Sequence, residues 1–76
     1  MLDPRRLRAL REVARQRSFR GAAEALGYSQ SAVSQHVAAL ERDVGAVLID
    51  RGDHRAIAPT DAGARVLRHA DRILAA

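Results

Sequence analysis

Along most of this 76-residue chain the apolar positions recur at helical spacing, and the polar residues between them mark out four helices and one hairpin. Leu7, Leu10, Val13 and Ala14 form the stripe of a first helix. Asp3 is placed to cap it and Pro4 to occupy its first position, where a missing N–H costs nothing. Arg5, Arg8, Glu12 and Arg15 fall on the opposite side, with Arg8 and Glu12 spaced to pair in solvent. Ser18 caps a second helix, in which Phe19 anchors the entry and Ala22, Ala23 and Leu26 give a small, flat apolar face. Gly21, in its first turn, costs about 1 kcal/mol against alanine and points to close packing. Gly27 closes that helix, since glycine takes the left-handed conformation without steric cost. Ser29 caps a third helix, whose stripe is Val33, Val37, Leu40 and Val44 and whose end is Gly45.

After Gly45 the period shortens. The branched apolar residues of 46–50 suit a strand, 51–55 carries the glycine and aspartate of a turn, and 55–58 returns as a second strand. Thr60 then caps a fourth helix from Asp61 that is still running at Ala76. Its stripe of Ala62, Val66, Leu67, Ala70, Ile73 and Leu74 is broader than a domain of this size needs for its own core. The pattern predicts a mainly α winged helix-turn-helix: a three-helix core, a β-hairpin wing and a C-terminal helix.

Burying Val33, Val37 and Leu40 turns Ser31, Ser34, Gln35, Ala38 and Arg42 outward, with Gln30 at the exposed leading turn. Such a face suits the major groove of DNA. Glutamine pairs two-handed with adenine, serine reaches several base edges, and alanine touches a thymine methyl. A merely solvated helix face carries more Glu–Lys pairing than this one. Gln30, Ser31, Ser34 and Gln35 are therefore the candidate base readers. Ser18 and Ser29 at helix N-termini, Arg42 further along the same face, and Arg51 and Arg55 near the hairpin tip are the candidate backbone contacts. Asp50 and Asp53 keep the hairpin from being uniformly basic, so one productive arginine is expected there, namely Arg55. The first-helix arginines lie far along the chain from the reading helix, so their face reads chiefly as solvated, with phosphate contact by one or two of them as the lesser reading. Tyr28 either covers the core with its ring or gives its hydroxyl to a phosphate, and the core is the better place for the ring.

The composition narrows the options. All thirteen basic residues are arginine, and the formal charge of +4 favours a polyanionic partner. With no cysteine, and with His36, His54 and His69 scattered, neither a disulfide nor a metal is expected. One Phe and one Tyr give too little stacking surface for a single-stranded nucleic-acid platform. The first sixteen residues hold five arginines, too many for a secretory signal or a membrane span, which predicts a cytoplasmic location. An enzyme reading finds no support. Ser34 and His36 stand two apart on a helix and point away from each other, which defeats a triad with Asp43, and no phosphate loop or nucleophile elbow is present. A winged helix used for protein–protein contact is the remaining alternative, but it calls for large apolar residues on the outer face of the third helix.

The spaced residues Ser18-Phe19, Ala22-Ala23-Glu24-x-Leu26, Ser29-Gln30-Ser31-Ala32-Val33-Ser34-Gln35, Leu40-Glu41, Gly45, Leu48, Arg51 and Thr60-x-Ala62-Gly63 cover nearly the whole chain. In that pattern the chain resembles the N-terminal DNA-binding domain of LysR-type transcriptional regulators. It departs from the usual family residues at Ser31 (commonly proline), Ile49 (commonly phenylalanine) and Pro59 (commonly leucine). The resemblance implies a DNA-binding domain over 1–59, with helix 30–43 in the major groove and wing 51–56 on the backbone or minor groove. It implies that 60–76 begins a linker helix through which two copies pair, with Val66, Ala70 and Ile73 as the expected contacts. A homodimer on a near-palindromic double-stranded operator follows. The chain then reads as a fragment with no cofactor of its own, and a small-molecule effector is expected for a sensor domain absent from it.

Overall fold

In the computed structural model, residues 2–52 and 57–75 are described. Helix α1 (Pro4–Gln16) starts where the sequence places it: the Asp3 side chain accepts from the Arg5 N–H, and Pro4 takes the first position. It ends at Arg17, whose φ of 54° is a left-handed conformation usually left to glycine. Helix α2 (Phe19–Leu26) is capped by Ser18, which accepts from the Gly21 N–H, and closed by Gly27 at φ 71°. Helix α3 (Gln30–Val44) is capped by Ser29 and closed by Gly45 at φ 76°. Strands β1 (Ile49–Asp50) and β2 (Ala58–Pro59) pair antiparallel, Ile49 opposite Pro59 and Asp50 opposite Ala58. Helix α4 (Asp61–Ala75) completes the order.

The core forms where α1 packs against each of the other three helices. Leu7, Leu10 and Val13 from α1 meet Phe19 and Ala22 from α2, Val33, Val37 and Leu40 from α3, and Val66 and Ala70 from α4. Leu7, Leu10, Val13, Val33, Val37 and Leu40 are fully buried, a burial of about 1.5–3 kcal/mol for each such side chain. Because α1 is covered on three sides, its buried face is wider than one stripe and takes in Ala9 and Glu12. Glu12 was expected on the solvated face with Arg8. It is instead buried and accepts from Arg15 Nη1 at 2.9 Å and Gln16 Nε2 at 3.3 Å. Gly21 also has its reason: a Cβ there would lie 3.1 Å from the Gln16 Cβ, so α2 enters close against the end of α1.

Three further expectations change. Val44 is 38% exposed, because the core end of α3 is closed by the fully buried Leu48 instead. The ring of Tyr28 lies outside the core, tilted against His36 with centroids 5.7 Å apart. The first strand is shorter than 46–50, because the backbone around Leu48 is engaged elsewhere, and the second reaches Pro59, beyond the expected 55–58, of which 55 and 56 lie outside the described residues. Glu41 Oε2 accepts from the Leu48 N–H at 2.8 Å and from the Ile49 N–H at 3.4 Å. The Leu48 carbonyl accepts from the Thr60 N–H at 3.0 Å, and the Thr60 hydroxyl donates to the Val47 carbonyl at 2.6 Å. Pro59 has no N–H to give, and its neighbour Thr60 supplies the donor.

This network ties α3, the hairpin and α4 at one point. Thr60 serves it twice, since its Oγ1 also accepts from the Gly63 N–H as the α4 cap. Gly63 is a glycine for want of room: a Cβ there would lie 2.0 Å from the Leu48 carbonyl oxygen. The first turn of α4 therefore rests directly on the backbone that Glu41 holds.

Candidate nucleic-acid interface

The polar face of α3 is fixed from two directions. At its start, Gly27 turns the chain, the Tyr28 N–H donates to the Ala23 carbonyl at 3.0 Å, and Ser29 Oγ accepts from the Ala32 N–H at 3.0 Å. Along its length, Val33, Val37 and Leu40 fix its rotation about its own axis, because all three are fully buried. Gln30, Ser31, Gln35 and Arg42 are consequently exposed, while Ser34 and Ala38 are half-buried at the edge of that face. None of the four candidate base readers spends its side chain on a hydrogen bond among the described residues, so their amides and hydroxyls keep both donor and acceptor capacity.

The candidate backbone contacts divide. Ser29 stands at the N-terminus of α3 with its hydroxyl oxygen accepting the cap bond, which leaves its proton to donate. Ser18 is placed alike at α2, accepting from the Gly21 N–H at 2.9 Å. Arg51 is exposed, and its guanidinium lies over the Phe19 ring, 4.4 Å from the centroid. That stacking joins the base of the wing to the start of α2, so Arg51 and Ser18 belong to one edge of the surface. Arg55 and the tip of the wing, with His54, lie outside the described residues.

Beside the reading face is a cleft of about 370 Å³ between the N-terminus of α1 and α3, lined among others by Asp3, Arg5, Arg6, Gln35, His36 and Arg42. From sequence the outer face of α1 reads as chiefly solvated, because distance along the chain hides that the start of α1 lies against α3. Arg6 Nη1 donates to Asp43 Oδ2 at 2.6 Å, and Arg5 Nη2 to Asp3 Oδ2 at 3.2 Å. The hydrogen bond from the Arg5 side chain holds the Asp3 carboxyl below its ordinary range, helped by the bond from the Arg5 backbone N–H. Only the i,i+37 spacing of Arg6 and Asp43 carries this contact, and no local pattern would have found it.

The three expected dimer contacts are placed unequally. Val66 and Ala70 belong to the core of the single chain, facing α1, because α4 is what closes the fourth side of the bundle. Ile73 alone of the three is well exposed, at 48%. No group of three or more His, Cys, Asp or Glu among the described residues is placed to hold a metal, and no helix among them is long and apolar enough to cross a membrane.

Comparison with known proteins places this arrangement. Residues 4–64 match the family model described as bacterial regulatory helix-turn-helix protein, lysR family. The chain is 47% identical over 70 residues to a probable hydrogen peroxide-inducible genes activator of Mycobacterium avium, covering 92% of this chain and 22% of that protein. Among solved structures it superposes on the BenM DBD in complex with catB site 1 DNA, with a TM-score of 0.89 and 30% identity over 96% of this chain and 81% of that one. It also superposes on the full-length LTTR LysG from Corynebacterium glutamicum, with a TM-score of 0.89, 38% identity, and coverage of 97% of this chain and 25% of that one. The chain thus spans about a fifth to a quarter of the full-length proteins it resembles.

Proposed function

The chain belongs to the LysR family of bacterial regulatory helix-turn-helix proteins, and from that premise we propose that it binds double-stranded DNA sequence-specifically, as the DNA-binding part of a transcriptional regulator. Helix α3 enters the major groove. Gln30, Ser31, Ser34 and Gln35 face the base edges, and glutamine amides are suited to adenine N6 and N7. Ser18, Ser29, Arg42 and Arg51 contact the backbone and set the register. The observation that carries this reading is the contrast across α3: three fully buried apolar residues on one side, and on the other neutral hydrogen-bonding side chains that no group among the described residues engages.

Residues 1–59 act as the reading unit, and α4 begins the linker through which two copies meet on a near-palindromic operator. Ile73 lies in that contact, since Val66 and Ala70 are committed to the core. Two reading helices held by a twofold axis meet successive major grooves about 34 Å apart. The full-length LTTR LysG has been solved with bound effector Arg. By analogy, a regulator built on this domain takes a small-molecule effector on a separate domain and works in the cytoplasm.

The test is titration of a DNA duplex at a series of salt concentrations. Neutralising several phosphates predicts that log K falls steeply and linearly with log salt, by about 0.9 unit for each phosphate engaged. Absence of salt-dependent duplex binding would contradict the proposal and return the fold to a protein-contact role.

A further inference from the structure

We infer that the cleft between the N-terminus of α1 and α3 seats a backbone phosphate of the bound duplex, held by Arg5 and Arg6 from α1 opposite Arg42 from α3. The inference rests on the DNA-binding reading and extends its contact surface to the start of α1, with named arginines and a named cleft.

Three observations carry it. The first is position. Gln35 and Arg42 both line the cleft, so its α3 wall is continuous with the base-reading face. A helix that fills a major groove about 12 Å wide has a sugar–phosphate wall beside it. The start of α1 borders α3 on that side, and Arg42 is seven residues, about 10 Å, along the helix from Gln35.

The second observation is charge. Three guanidinium groups line the cleft, against the Asp3 carboxylate within it and Asp43 at its edge, which leaves the site net positive. The third is geometry. Arg6 gives one donor to Asp43 and Arg5 gives side-chain donors to Asp3. A guanidinium carries five N–H donors, so both retain hydrogens for a phosphate. Ion pairs as exposed as these contribute little to stability, and their effect is to hold two long side chains in one orientation. A phosphate then finds the fork already aimed, with less side-chain entropy to lose. The size of the cleft is compatible with a small molecule, but its lining is charged and polar, whereas small-molecule pockets are walled mainly by apolar and aromatic side chains.

A phosphate contact is blind to sequence, so a random-sequence duplex of 30 base pairs is a sufficient probe. Arg5→Gln and Arg6→Gln are each titrated against it over a salt series, beside the unaltered chain, with circular dichroism to confirm the fold. Each change is expected to lower the slope of log K against log salt by about one unit and to weaken binding to any duplex in equal proportion. Arg6→Lys, which keeps a point charge, is expected to retain the slope. A steep slope for the unaltered chain, unchanged in both glutamine variants, would overturn the inference and leave the DNA-binding reading intact. A flat slope for the unaltered chain would defeat that reading itself. Should Arg6→Gln fail to fold, Arg5→Gln decides the matter, because the Arg5 side chain is mostly exposed and its ion pair is with the nearby Asp3.

Discussion

Helices α3 and α4 are both fifteen residues long, both are capped by a hydroxyl residue, and both press an apolar stripe onto α1. They differ in what they leave outside. The exposed side of α4 carries Asp61, Arg65, Arg68, Asp71 and Arg72, the charged mixture of a helix that faces water, interrupted near its end by the apolar Ile73. That of α3 carries glutamines and serines through its first two turns and adds charge only near its end. Similar stripes on the inside therefore say where a helix sits. The chemistry of the outside says what it is for.

The two helices also depend on each other through one small joint, where even a single added methyl should do large damage. Gly63→Ala drives a methyl into the Leu48 carbonyl, which is backbone and has nowhere to go. A loss of about 3 kcal/mol is expected, at the upper end of what overpacking costs. Thermal melting would show it. A variant that melts with the unaltered chain would mean that α4 does not rest on this backbone.

Glu41→Ala removes the acceptor for the Leu48 and Ile49 N–H groups while leaving the reading face of α3 untouched. About 1–3 kcal/mol should be lost, with faster amide hydrogen exchange at Leu48 and Ile49. Unchanged exchange there would show that Glu41 does not bind the hairpin to α3.

At Ile73 the effect on stability should be smallest, within about 0.5 kcal/mol for Ile73→Asp, because the side chain is already about half in water. Sedimentation on duplex DNA should nevertheless show fewer two-protomer complexes. Full occupancy would remove Ile73 from the pairing surface. Ala70→Asp offers the contrast: it places a charge at a fully buried position and should unfold the chain.

Much of this organisation was written locally. The caps at Asp3, Ser18, Ser29 and Thr60, the left-handed glycines 27 and 45, and the stripe through Val33, Val37 and Leu40 follow from short-range chemistry, and the structure has them all. What the sequence hid was long-range. Glu12 is buried because three helices cover α1, a fact about topology, and Glu41 is simply polar until the backbone it holds is in place. Val66 and Ala70 look surplus only until α4 is seen to cover the third side of α1. The cleft at Arg5 and Arg6 exists because α1 crosses α3, which no spacing within either helix reveals.

The central claim is that the outer face of α3 reads sequence. The direct measurement is competition binding of Gln35→Ala against a library of single-base changes in the operator. A loss of about 1–3 kcal/mol on the operator is predicted, with much less on random DNA and with relaxed preference at one base pair in each half-site. Equal losses on operator and random DNA would mean that α3 positions the domain without reading it, and would contradict the account.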